Sequence, residues 1–244
     1  MGISIYVSID TQIADALAPH RQEKYISIGT KSFEEIAKMA ERGRPRRFDR
    51  QAALQRAMEL FWERGYQAAS MADITEAMGI NAPSLYAAFG SKEELYREAV
   101  GHFAATESDA ILSPLRKAET ARGAVEGYLL ASAATFTRPG RPPGCMVVMS
   151  AVNAVGVGEE TGRILREMRA GSVAMIEERL QRAMAEGELP ASLDPRSIAS
   201  YYVTVQQGMS IQARDGASRS ALETIARAAM AAWDGLVLPR GAAA

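Results

Sequence analysis

From Asp49 onward, apolar residues return at three- and four-residue intervals along nearly the whole chain, which is the spacing of one face of a helix. Leu54, Ala57, Met58 and Phe61 make the first such stripe, with Asp49 placed to cap it and Gly65 to end it in a left-handed turn. Ser70, with Asp73 three positions on, opens a second, short helix carrying Ile74, Ala77 and Met78, and Gly79 stops it. Asn81 caps a third; Pro83 falls in its first turn, where a missing N–H costs little, and Gly90 closes it. Ser91 and Glu94 form a capping box for a fourth helix, from Lys92 to about residue 111.

Farther on, helices are predicted over 124–136, 146–154 and 159–186. The loop "TRPGRPPG" is a firm break after the first of them, because its prolines and glycines cannot continue a helix. Asp194 and Pro195 start a helix reaching Arg214. Ser218 or Ser220 starts the last, with Leu222, Ile225, Ala226, Ala229, Met230 and Trp233 as one stripe. No stretch after residue 41 alternates like a strand between turns, so the fold class is all-α, with about nine helices. Residues 1–41 stand apart. "ISIYVSID" alternates like a short strand and "SFEEIAKMAER" reads as a helix with Ser32 and Glu35 as its box, but neither has an evident partner. This segment is expected to be a poorly ordered extension, upstream of the working domain.

Composition narrows the reading further. A content of 48% hydrophobic and 23% charged residues is enough for a sizeable core, while a net charge of −1 excludes a uniformly basic coat, so cationic surface has to be sought segment by segment. It is concentrated in "RGRPRRFDR", where five arginines face one aspartate. Cys145, the only cysteine, excludes an intramolecular disulfide and a multi-cysteine zinc site and fits a reducing cytoplasm. The longest apolar stretch, near residues 145–157, falls short of the roughly 20 residues that span a bilayer, so no membrane partner is expected and the location expected is cytoplasmic.

Catalytic and cofactor chemistry finds no foothold. His20 and His102 lack any metal-ligand spacing, and two histidines offer no Ser-His-Asp arrangement, so no catalytic residue, metal or cofactor is predicted. Gly156, Gly158 and Gly162 follow an apolar run and imitate a dinucleotide-binding turn, but the spacing is G-x-G-x-x-x-G and no βαβ pattern follows; they are read as joining two helices. Cys145 opens an apolar helix, which reads as packing before thiolate sensing.

Residues 70–89 form one object: two short helices joined by "GIN", with Ile74, Ala77 and Met78 inward on the first and Leu85 and Phe89 inward on the second, the helix-turn-helix pattern. The opposite face of the second helix then shows Ala82, Pro83, Ser84 and Ala87, a low profile suited to a major groove about 12 Å wide. Methyl groups there can touch thymine methyls, and Ser84 can donate or accept. Tyr86 lies at the side of the helix, within reach of the sugar-phosphate backbone. Ser91 and Lys92 begin a helix whose N–H groups and dipole favour an anion, and which serves as a lever from this region to the rest of the chain. The arginine-rich segment, with Arg44, Arg46 and Arg47, is read as a flexible arm for the minor groove.

The stretch "ALQRAMELFWERGYQAASMADITEAMGINAPSLYAAFGSKEELYREAV" resembles the DNA-binding head of the tetracycline-repressor (TetR) family of one-component transcription regulators. The tail "QQGMSIQARDGASRSALETIARAAMAAW" is similar, more weakly, to the last two helices of one branch of it. The resemblance implies that Ser70 and Thr75 lie on the second helix, that Asn81, Ala82, Ser84 and Tyr86 belong to the recognition region, and that Lys92 is a phosphate contact. It also implies a division into the 1–41 extension, a 42–96 DNA-binding head and a 97–238 regulatory and dimerisation domain. The function expected is a ligand-responsive regulator, a repressor before an activator, that releases a palindromic double-stranded operator when an unknown small-molecule effector binds. An all-α enzyme or a helical adaptor without DNA binding are the alternatives.

Tyr128, Phe136, Met149, Asn153, Met168, Met175, Tyr202 and Gln206 are the candidates for lining an apolar effector cavity, most of this aromatic and methionine set being core. The last two helices, rich in Ala, Gly and Met, are expected to pair across a two-fold axis into a four-helix bundle, making a homodimer. Deleting residues 1–40 is expected to leave duplex binding intact. Replacing Arg44, Arg46 and Arg47 with alanine is expected to flatten the dependence of log affinity on log salt by about 0.9 for each phosphate left without its cation, measured by fluorescence anisotropy.

Overall fold

The computed structural model describes residues 48–153 and 156–237; the expected strand and helix of residues 1–41 and the arm arginines Arg44, Arg46 and Arg47 lie outside the described residues. Among the described residues there is no strand, and the helices follow in order as α1 (Arg50–Ala68), α2 (Met71–Met78), α3 (Ala82–Phe89), α4 (Lys92–Lys117), α5 (Ala121–Phe136), α6 (Met146–Asn153), α7 (Glu159–Ala185), α8 (Pro195–Arg214), α9 (Arg219–Met230) and the five-residue α10 (Trp233–Val237). Nine of these have eight residues or more.

The caps lie where short polar side chains precede apolar stripes. Asp49 accepts from the N–H of Gln51 and Ala52, Asn81 from Ser84, Thr120 from Gly123, Asp194 from Ser197 and Ser218 from Ala221. Ser70 with Asp73 and Ser91 with Glu94 each close a full capping box. Ser70 and Arg64 hold the Asp73 carboxyl below the usual carboxylate range.

Three details differ from the pattern-based expectation. Gly65 takes a positive φ of 79° but kinks α1 instead of ending it; one more turn runs on to Ala68. Helix α4 continues past 111 to Lys117 and carries Pro114 inside its last turns. The opposing helix supplies Gly127 there, where a Cβ would stand 2.7 Å from Pro114 Cβ, so the absent side chain leaves room for the ring. The last predicted helix breaks after Met230, and Ile225 leaves its buried stripe: at 36% exposure it faces outward, whereas Leu222, Ala226, Ala229, Met230 and Trp233 are buried.

Helices α1–α3 and the first turns of α4 make a head whose core is Ala57, Met58, Phe61, Ile74, Met78, Leu85, Phe89, Leu95 and Tyr96. In the rest of the chain α5 lies centrally against α4, α7, α8 and α9, with Tyr128, Leu129 and Phe136 fully buried. The loop between α5 and α6 is closed by ion pairs. Glu107, only 2% exposed, takes Arg138 and Arg141, and Arg141 also reaches Glu59 of the head. No described helix is long and apolar enough to cross a membrane.

Gly79 and Gly90, which end α2 and α3, both have positive φ, 68° and 77°. A Cβ at Gly79 meets nothing within 4 Å, whereas one at Gly90 collides with the Glu94 carboxylate of the α4 box. Gly79→Ala is therefore expected to cost about 1 kcal/mol. Gly90→Ala is expected to cost about 2 to 3 kcal/mol. Urea unfolding curves of the two variants measure the difference.

Candidate nucleic-acid interface and the cavity behind it

Leu85 and Phe89, 0% and 3% exposed, bind α3 to the head core and so fix which face it turns outward. That face presents Ala82, Pro83 and Ala87, all exposed, with Ser84 half-buried among them and Tyr86 at 50% exposure on the flank. Asn81 is exposed, and its side-chain oxygen accepts the Ser84 N–H at 2.9 Å, which leaves the amide NH2 to donate outward. The two α2 candidates are more committed. Ser70 is exposed but its hydroxyl caps the helix, and Thr75 gives its proton to the carbonyls of Met71 and Ala72 at 3.0 Å. Thr75 must rotate away from those carbonyls before it can donate to a phosphate.

At the start of α4 the expected anion-binding end is partly filled by the protein itself. The Glu94 N–H is taken by Ser91 Oγ, and the Ser91 N–H by the Glu94 carboxylate, so the N–H groups of Lys92 and Glu93 are what the capping box leaves open. The Lys92 ammonium sits 4.6 Å from the centroid of the Tyr66 ring, and partial burial lowers its pKa. Arg50, part of the arginine-rich segment in sequence, is not an arm residue. It lies 4.3 Å over the Phe89 ring, donates to the Ala88 carbonyl at 3.1 Å and pairs with Glu98 at 2.8 Å. Its acidic partner is 48 residues away, which no local pattern reveals.

Behind the head, a cavity of about 430 Å³ opens between α4 and α7 and reaches α5, α6 and α8. Four of the sequence candidates line it: Tyr128, Met168, Met175 and Gln206. Four do not. Phe136 is packed at 0% exposure at the end of α5, and Tyr202 is turned to Tyr201 and Trp233, its ring 4.9 and 6.0 Å from theirs. Asn153 lies against the α1 kink, where a Cβ on Gly65 would stand 3.0 Å from its own, and Met149 is half-buried elsewhere on α6. Phe103, Ile111 and Leu112 of α4 and the arginines Arg97 and Arg169 also line the cavity and escape sequence reasoning, since a helix taken only as a lever gives no reason to seek a wall on it.

Cys145 also lines the cavity. Burial raises its pKa, opposed by the backbone N–H groups of Val148 and Val147 and by Arg169, so the thiol is held protonated. The Tyr128 hydroxyl is buried; burial raises its pKa, Cys145 adds to the rise and hydrogen bonding with the Ser172 side chain opposes it.

Head and cavity share more than a helix. Glu93, next to Lys92, accepts from Thr161 Oγ1 at 3.2 Å in the first turn of α7 and crowds Gly158, the residue that precedes that helix. A carboxylate at a helix N-terminus is favourably placed. Arg214, at the end of α8, donates to the carbonyls of Trp62 and Glu63 in α1.

Residues 53–99 match the family described as "Bacterial regulatory proteins, tetR family", and residues 121–229 match "Tetracyclin repressor-like, C-terminal domain". The sequence is 36% identical to the HTH-type transcriptional repressor ComR of Escherichia coli (strain K12) over 200 residues, 80% of this chain and 94% of that protein. It is 38% identical to the HTH-type transcriptional repressor BdcR of the same organism over 106 residues, 43% of this chain and 54% of that one. Among solved structures, a cysteine mutant of the TetR family transcriptional regulator CifR, complexed with 26 bp double-strand operator DNA, superposes with a TM-score of 0.74 at 43% identity, covering 78% of this chain and all of that one.

Tyr86→Phe removes a hydroxyl from the exposed flank and Lys92→Ala a cation from the rim. Each is expected to weaken duplex binding on all sequences alike, about five- to tenfold, and Lys92→Ala to lower the salt slope by about one. Ser84→Ala is expected to change the ranking of operator variants instead. Anisotropy titrations over an operator library at two salt concentrations separate these outcomes.

Proposed function

The chain belongs to the tetR family of bacterial regulatory proteins, and from that premise we propose that it is a repressor that grips a palindromic operator as a homodimer and lets go when a small molecule enters its core. The observation that carries the reading is the outer face of α3: alanine, proline and a half-buried serine over a buried leucine and phenylalanine, flanked by Tyr86. Such a face admits the backbone to base edges. Ala82 and Ser84, with the Asn81 amide, meet bases. Tyr86, Lys92, Ser70 and Thr75 meet phosphates, and the arm arginines 44, 46 and 47 reach the neighbouring minor groove. The setting is the cytoplasm. ComR and BdcR are named as repressors and CifR was solved on operator DNA, which supports the same reading for this chain.

One head makes too few groove contacts for a specific site, so two are needed, about 34 Å apart. The surface for pairing is on α8 and α9. Tyr201, Thr204, Gly208 and Ile211 share one exposed face of α8, and Ala221, Thr224, Ile225 and Ala228 one of α9. A Cβ on Gly208 would meet nothing in its own subunit, which leaves room for a partner helix to approach closely. The effector acts through the cavity by binding better to a head spacing that misfits the operator, and about 1–3 kcal/mol of differential affinity suffices.

Capture of genomic fragments by the purified protein, followed by sequencing, is expected to return a two-fold symmetric site bound with steep salt dependence; no duplex retained at low ionic strength defeats the proposal. Ile211→Glu with Gly208→Arg is expected to give a folded monomer by sedimentation velocity and to lose most operator affinity. A double variant that sediments as the wild type does would place the interface elsewhere.

A further inference from the structure

The cavity wall divides by charge. Near its outer edge Arg163 lies between Glu160 and Glu167, 2.6 Å from each, and Glu178 is exposed. The two cations deeper in the wall have no such partners. Arg169 donates to the Val147 carbonyl at 3.1 Å and to Ser150 Oγ at 2.9 Å, and among the described residues it pairs with no carboxylate. Arg97 makes no ion pair there either, and its Nε–H is buried with no acceptor. Glu160 lies within the field of Arg97 but is held by Arg163. A half-buried guanidinium without a counter-ion suffers the loss of water and gains little in return. The Tyr128 hydroxyl, buried beside the Ser172 side chain, is a further donor in the same wall.

We propose that the effector is an amphipathic organic anion whose carboxylate is received by Arg169 and Arg97 while its apolar body lies along Phe103, Ile111, Leu112, Met168 and Met175. This rests on the reading of the cavity as the effector site. A carboxylate is acceptor-only and fits a wall whose two inner cations have no carboxylate partner; an ammonium would bring donors to donors and face two cations. The acids available to a cation are exposed at the edge, and two of the three share Arg163. The position of the two arginines also gives the ligand something to act on. Arg97 is on α4 little more than a turn from Lys92, and Arg169 is on α7, whose first turn holds Glu93, so one carboxylate draws together the two helices that meet at the head.

The test uses the full chain and calorimetric titration with octanoate, decanoate and phenylbutyrate against the alcohols and primary amines of the same skeletons. Expected is binding at least about tenfold tighter for the carboxylates, a preference that Arg169→Gln and Arg97→Met each reduce about tenfold while affinity for the alcohol is kept. Arg169→Lys, which keeps a charge near Val147 and Ser150, retains part of the preference. An alcohol or amine that binds as tightly as its carboxylate, absence of binding by the whole series, or a folded Arg169→Gln protein with undiminished carboxylate affinity would each overturn the assignment. Operator release is followed in parallel. Carboxylates that bind with the arginine dependence yet leave operator affinity unchanged uphold the ligand class and defeat the effector role. Release by an alcohol alone does the reverse.

Discussion

Helix α4 is buried in two places at once. In its first three turns Leu95, Tyr96 and Ala99 fill the head core, Tyr96 edge-on to Phe61 with centroids 5.0 Å apart. In its later turns Phe103 stands edge-on to Trp62 at 4.9 Å, and Ile111 and Leu115 pack beneath α5. Burial of each large apolar side chain contributes about 1.5 to 3 kcal/mol, so neither end can detach without losing most of a small domain's net stability. Because 26 residues run without an interior break, rotation or translation imposed on one end arrives at the other. The helix begins beside the exposed face of α3 and passes along the cavity wall.

Smaller contacts decide how freely the head can tilt about that rod. Arg214 holds carbonyls of α1, Arg141 bridges Glu59 and Glu107, and Glu93 lies at the start of α7. Each joins a residue of the head, or of the first turn of α4, to the helical core. The Arg214 and Glu93 contacts are polar and partly solvated, hence weak compared with the apolar seam and open to exchange, whereas the buried Glu107 keeps its end of the Arg141 bridge fixed. The head is thus joined to the rest of the chain by an apolar seam and by a set of polar contacts around it.

The cavity is as much a consequence of α4 as the head is. Arg97, Phe103 and Ile111 reach it from the same helix that carries Lys92, and α7 closes the other side with Met168, Arg169 and Met175. Its hydrogen-bonding capacity is lopsided, with a donor left over at Arg97 and carboxylates confined to exposed positions. Family membership accounts for the helix-turn-helix and the helical second domain.

The helices were legible in the sequence because their signals are local. Asp49, Ser70, Asn81, Ser91, Asp194 and Ser218 cap by reaching two or three residues ahead, and the apolar stripes of the head repeat within a turn or two, so α1–α4 and the face of α3 follow from short windows. What the tertiary structure alone decided is everything that depends on residues far apart in the chain. Arg50 pairs with Glu98 and ceases to be an arm; Gly127 makes room for the Pro114 ring; Asn153 meets the kink at Gly65 and not the cavity. The cavity lining was half visible for the same reason. A methionine or tyrosine at helical spacing carries the same pattern whether its neighbour is another side chain or an empty space, and only the packing of α4 against α7 determines which.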